Sequence, residues 1–168
     1  MAEIDILVYG ATGFTGRLVA EYLGKIYPDR SWGIAGRNTE KLGAVRDELG
    51  LKQDLPLVVA DASDPASIEA MTKRAKVIIT TVGPYQLYGE ALVAACAASG
   101  TDYVDLSGEP SFMWDMIEKY EEQATSSGAR IVHSCGFDSV PSDMGVYLRQ
   151  QEAKSRLGAP PNAVKCRL

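Results

Sequence analysis

The stretch that most constrains this chain is Tyr9-Gly10-Ala11-Thr12-Gly13-Phe14-Thr15-Gly16-Arg17. An apolar run, Ile4-Asp5-Ile6-Leu7-Val8, leads into it, and a helical pattern follows. Strand, glycine turn, helix is the order in which a parallel sheet presents backbone N–H groups to a phosphate. Gly10 would make the tight turn, Gly13 would let the backbone approach a pyrophosphate, and Gly16 would let the helix pack close to the strand. The spacing is G-x-x-G-x-x-G rather than G-x-G-x-x-G. Glycine turns occur in many loops, so a plain strand-to-helix turn stands as the alternative until the rest of the chain is considered.

The rest alternates. Strand-like runs fall at residues 4–9, 31–36, 55–60, 76–82, 103–106 and 130–134. Between them lie helical patterns. The first spans about 15–26, with Leu18, Val19, Tyr22, Leu23 and Ile26 as its apolar face. Asn38 can cap the second, which carries Leu42, Val45 and Leu49 and stops at Gly50. Asp64-Pro65 opens the third, with Ile68 and Met71 inside. Further helices read over 89–99, about 110–126 and about 141–154. The continuous, β-branched fourth run suits a strand covered on both faces. Six strands alternating with helices, with no tight hairpin signal, predict an α/β fold: a doubly wound parallel sheet of Rossmann type, order 3-2-1-4-5-6. Gly158, Pro160 and Pro161 make the segment after residue 154 a linker, and residues 163–168 alternate like a new strand. The expected division is 1–154 as a dinucleotide-binding domain and 155–168 as the linker and first strand of a truncated second domain.

A dinucleotide site of the NAD type has Asp or Glu about 20 residues past the glycines, on the ribose. Here Gly36 stands twenty residues after Gly16, and Arg37 follows. A guanidinium matches phosphate oxygens with a planar fork and stacks on adenine. At roughly 1.5–3 kcal/mol per charge-assisted bond, two bonds could favour NADP over NAD by about a hundredfold or more. A solvated arginine at a strand end is the plainer alternative. Asn38 and Lys41 could add donors. Asp61 could accept from the adenine amino group, or Asp61 and Asp64 could simply cap the next helix. Val82, Gly83 and Pro84 end the fourth strand beside the glycine turn, where a ribose and nicotinamide would pass. Tyr85 and Tyr88 could face a substrate or pack in the core. Glu109 could bond a ribose or merely start a helix. His133, the only histidine, and Cys135 read as core residues before they read as a base or a reactive thiol.

No tyrosine has lysine four residues later, and no Ser-His-Asp motif or Walker lysine is evident. No catalytic acid or base is assigned. The net charge of −5, with no basic block, argues against nucleic acid as a partner. Cys96, Cys135 and Cys166 are odd in number and lack C-x-x-C spacing, against a disulfide framework or a zinc site, so no metal is expected and a reducing cytoplasm is. No apolar run approaches the roughly 18 residues of a membrane span, and the acidic first residues do not read as a signal peptide.

The segments 9–16, 35–38, 80–85, 101–109 and 135–143, in that order, resemble the saccharopine dehydrogenase-like oxidoreductases, and within them the trans-acting enoyl reductases of lipid and polyketide pathways. The resemblance covers nearly the whole chain. It implies an NADP-binding domain, a larger α/β domain closing over the nicotinamide, and hydride transfer to or from a C=C or C=N bond. It places Thr12, Gly13, Phe14 and Thr15 at the pyrophosphate, Arg37 at the 2′-phosphate, and Val82, Gly83 and Pro84 near the nicotinamide. Asp138 matches the aspartate of the turn before the last helix. A small-molecule substrate, enoyl lipid or imine, is implied, and the loose end at the linker could promote a homo-oligomer. The rival reading is a non-catalytic NADP-sensing or scaffold module.

Overall fold

The computed structural model describes residues 2–166. Six strands form one parallel sheet: β1 (Ile4–Tyr9), β2 (Trp32–Gly36), β3 (Leu57–Val59), β4 (Ala75–Thr80), β5 (Asp102–Val104) and β6 (Ile131–Val132), in the order β3-β2-β1-β4-β5-β6. This is the expected doubly wound sheet, with its switch point between β1 and β4. The helices are α1 (Phe14–Ile26), α2 (Thr39–Glu48), α3 (Pro65–Thr72), α4 (Tyr85–Tyr88), α5 (Glu90–Ser99), α6 (Pro110–Ser127) and α7 (Val140–Leu157).

Register explains the core. Leu7, Ile78, Tyr103 and Ile131 lie side by side across four strands. The first three are fully buried, beneath α3, α5 and α6. The alternate row, Val8, Ile79, Val104 and Val132, faces the other way. Val8 is buried there with Ala20, Leu23 and Leu42, from α1 and α2, but Val132 is exposed. β4, expected to be covered on both faces, is thus covered on one and partly covered on the other, where Ala75 is buried and Val77 and Ile79 are partly buried. Each fully buried aliphatic side chain contributes roughly 1.5–3 kcal/mol, so the β1–β4 centre dominates stability.

Several boundaries move. The apolar face expected for α1 is buried only in part: Leu23 is buried and Val19 packs against the core, but Leu18, Tyr22 and Ile26 are about half exposed, and Gly16 and Ala20 are buried in their place. Close approach decides this, because a Cβ on Gly16 would collide with the Gly10 carbonyl group. β3, β5 and β6 are shorter than the apolar runs that carry them. β6 stops where Ser134, at φ 60, turns its N–H back to Asp105. The sequence pattern does not reveal the short helix α4; the following helix begins at Glu90. The last helix continues to Leu157 and ends at the left-handed Gly158. Residues 163–166, expected to open a new strand, form none, and 167–168 lie outside the described residues. The expected caps are present: Asn38 accepts from Lys41 N at 2.9 Å, and Asp64 accepts from Ala66 N at 3.1 Å.

Candidate functional site

The carboxyl ends of β1, β2 and β4 converge on a cleft of about 270 Å³. Gly10, at φ +90, turns the chain there. A Cβ on it would meet Thr81 Oγ1 at 2.7 Å and Val82 Cγ2 at 2.8 Å, so only glycine fits. Its N–H and that of Ala11 donate to the Ala35 carbonyl, and Thr81 N donates to Tyr9 O at 2.9 Å, which welds the three strand ends together. Gly13 precedes α1. No side chain caps α1 and no acidic residue lies in its first turn, unlike α2 and α3 with their Asn38 and Asp64 caps. The leading N–H groups of α1 thus remain open to an anion at the positive end of the helix dipole.

Arg37 lines the opposite wall and makes no salt bridge among the described residues. Asp61 lies across from it. Its Oδ1 accepts from Ser63 N and Oγ, at 2.9 and 2.8 Å, so it forms a turn of its own rather than capping α3. Those bonds, with the Arg37 charge adding, hold its carboxyl below the usual carboxylate range. Oδ2 stays available to an exocyclic amine. Tyr9 forms part of the floor. Burial pushes its hydroxyl up to about 12, with the nearby Asp61 charge adding, so it stays a neutral donor. A larger hollow of about 420 Å³ lies between the far ends of α1 and α2, near Lys25, Trp32 and Lys52. It sits away from the carboxyl ends of the strands, where ligands of such sheets bind.

Of the residues expected at the site, Gly10, Thr12, Gly13, Arg37, Asp61, Val82 and Gly83 line one cleft. Phe14, Thr15 and Gly16 form the first turn of α1, directly after Gly13, but do not themselves line the cleft, and Phe14 is 82% exposed. Asn38 and Pro84 do not line it, and the Asn38 side-chain oxygen is engaged as a cap. Gly36, Ala62, Thr81 and Tyr88 line it as well; Gly36 and Thr81 lie in the segments 35–38 and 80–85 without being singled out there, and Ala62 carries no sequence signal.

The residues left open between two readings now divide. Tyr85 is buried against Phe112, donates to Thr80 O at 3.1 Å and accepts from Leu106 N, so it is core. Tyr88, 45% exposed, lines the cleft. Glu109 does not reach for a ribose: Oε1 accepts from Tyr85 N and Oε2 from Gln86 N, each at 2.8 Å. His133 Nδ1 lies 2.7 Å from Asp105 Oδ2, and its ring packs edge-on against Tyr103 and Phe112, away from the cleft. Cys135 is exposed rather than core; partial burial of the thiol, with Asp105 adding, still pushes it up, so it is not activated.

These features fit a phosphorylated dinucleotide: an open helix start for the pyrophosphate, a glycine turn too close for any side chain, and an unpaired guanidinium one strand away for a further phosphate. The comparisons agree. The family described as saccharopine dehydrogenase NADP binding domain matches residues 6–132. Two relatives named trans-acting enoyl reductase, from Mycobacterium ulcerans and Mycobacterium leprae, are each 55% identical over 146 residues, covering 86% of this chain and 35% of their own lengths. The chain thus spans little more than a third of the curated relatives it matches. Among solved structures, saccharopine dehydrogenase (L-Glu forming) from Saccharomyces cerevisiae superposes with a TM-score of 0.70 at 18% identity, over 92% of this chain and 32% of that one. A triphenylmethane reductase from Citrobacter sp., complexed with NADP(H), gives 0.59 at 18% identity, over 89% and 56%. Those two likenesses show the fold.

Proposed function

The chain belongs to the saccharopine dehydrogenase NADP-binding domain family, and from that premise we propose that it holds NADPH for an oxidoreductase reducing a C=C or C=N bond. The observation that carries the cofactor half of this reading is Arg37, an unpaired cation on the cleft wall opposite the uncapped start of α1.

In this reading Gly10 and Gly13 leave room for the pyrophosphate, and the N–H groups of Thr12, Phe14 and Thr15 approach its oxygens. Arg37 clamps the 2′-phosphate. Asp61 Oδ2 accepts from the adenine amino group. Thr81, Val82 and Gly83 pass beneath the nicotinamide ribose, with Pro84 following them. NADPH, when bound, supplies the hydride; these residues orient it and keep one face open toward a substrate. The enoyl class is favoured over imines by the names of the relatives at 55% identity.

The expected boundary at residue 154 falls inside α7, so we assign residues 1–157 to the cofactor domain and 158–168 to a connection toward a further, substrate-shaping domain; the greater length of the relatives supports this. The acid, base and substrate contacts belong to that domain in this reading, so the cofactor domain alone turns over slowly or not at all. Among the described residues no helix is long and apolar enough to cross a membrane. A cytoplasmic location and self-association through the connection complete the proposal.

Titration with NADPH and NADH, following nicotinamide fluorescence, tests it. NADPH should bind about tenfold tighter or better, and Arg37→Ala should remove most of that preference. Equal affinities for the two cofactors in the unaltered chain sink the assignment of Arg37.

A further inference from the structure

We propose that Glu109 is a positioning residue that sets the nicotinamide end of the cleft by holding α4 in place. The inference rests on the reading that the cleft binds NADPH.

Four residues of α4 separate the cleft segment Thr81–Gly83 from α5, and a helix this short is not stable by itself. Its N-terminus is gripped from a distant part of the chain. Each carboxylate oxygen of Glu109 takes one of its leading N–H groups, Tyr85 N and Gln86 N, at 2.8 Å. Charged acceptors on helix-start N–H groups are among the stronger protein hydrogen bonds.

Glu109 is itself held. Its N–H donates to Ser107 Oγ, and Ser107 N donates to Asp105 Oδ1. Asp105 is 2% exposed and also accepts from Ser134 N and Tyr103 Oη. A continuous set of hydrogen bonds thus runs from the end of β6 through the loop after β5 to the start of α4. The end of α4 carries Tyr88, which lines the cleft beside Thr81, Val82 and Gly83. Tyr85 keeps its own anchor on Thr80 O, Leu106 N and Phe112, so releasing the Glu109 bonds loosens the backbone of α4 from Gln86 to Tyr88 while the glycine turn, Arg37 and Asp61 stay on other elements. The two halves of the cleft are therefore separable: the ends of β1, β2 and β3 hold the adenosine side, and α4 holds the nicotinamide side.

The test uses two ligands. NADPH spans the whole cleft; 2′,5′-ADP carries the adenine, the ribose and both phosphates but no nicotinamide. In Glu109→Ala the chain should bind NADPH about tenfold more weakly and lose most of the change in nicotinamide emission, with 2′,5′-ADP within about twofold of the unaltered chain. Glu109→Gln, which keeps the length and one acceptor, should fall between. Should Glu109→Ala fail to fold, Glu109→Gln carries the test, read by the same split between the two ligands. Equal weakening of both ligands marks a merely structural role and overturns the proposal, as does unchanged NADPH binding. An unaltered chain that binds neither ligand overturns the cofactor reading itself.

Discussion

Asp105 is almost wholly buried, and a carboxylate in that position needs donors on every side. Burial raises its pKa, but hydrogen bonds from His133, Ser107, Ser134 and Tyr103 outweigh burial and hold it below the usual carboxylate range. A group depressed in this way contributes stability that is fully present above its unfolded pKa of about 3.9 and lost as pH falls through the lower folded value. Asp105→Asn should lower stability at pH 7 by roughly 3 kcal/mol, since its amide cannot accept on both sides. In urea unfolding the gap between variant and wild type should close as the solution is acidified. A gap that stays constant down to about pH 2 means the charge is not what the donors stabilise. The caps Asn38 and Asp64 were legible from the sequence because each acts on its immediate neighbours, and the spacing from the glycine turn singled out Arg37 for the role proposed above. The partners of Glu109 lie 24 and 23 residues away, so no local pattern could reveal them.

For the elements, glycine position matters more than glycine number. The rotation of α1 follows from Gly16 lying against Gly10, and this contact overrides the stronger apolar periodicity of Leu18, Tyr22 and Ile26. A Cβ at Gly16 meets backbone, which cannot swing away, so Gly16→Ala should cost about 3 kcal/mol or more and weaken NADPH binding with it. Gly43 lies inside α2, and a methyl group there would have nothing within 4 Å of it. Gly43→Ala should therefore stabilise by roughly 0.5–1 kcal/mol. Paired thermal melts check both signs; a destabilised Gly43→Ala would show that α2 is not the regular helix described. Helix starts and stops were largely readable, because Asn38, Asp64-Pro65, Gly100 and Gly128 act locally. Strand lengths were not, because pairing ends where the neighbouring strand turns away.

Across the whole molecule, burial is uneven. The face under α3, α5 and α6 is closed, while the other face thins from β1 toward Val132 at the β6 edge. α7 buries none of its residues among those described, and Val140, Met144, Tyr147 and Leu148 are exposed along it. Amides held only by an unpacked helix exchange by local opening, whereas those of a buried central strand need near-global unfolding. Hydrogen exchange should therefore be orders of magnitude faster in α7 than in β1 and β4. Equal protection in the two regions would place α7 against a surface of the sheet or of a second molecule.

The fold class and the cofactor both followed from the sequence. Strand alternation, the glycine turn and Arg37 are statements about neighbouring residues and fixed spacings, and such statements survive folding. Tertiary structure decided which face of α1 meets the sheet, that Tyr85 is core while Tyr88 lines the cleft, and that Glu109 holds α4 rather than a ribose. The two readings of α4 and Glu109 depend on contacts between groups distant in the chain, and the face of α1 on backbone atoms six residues apart that meet only once the turn is folded. Such contacts are set by which backbone atoms can approach and which buried donors still need an acceptor.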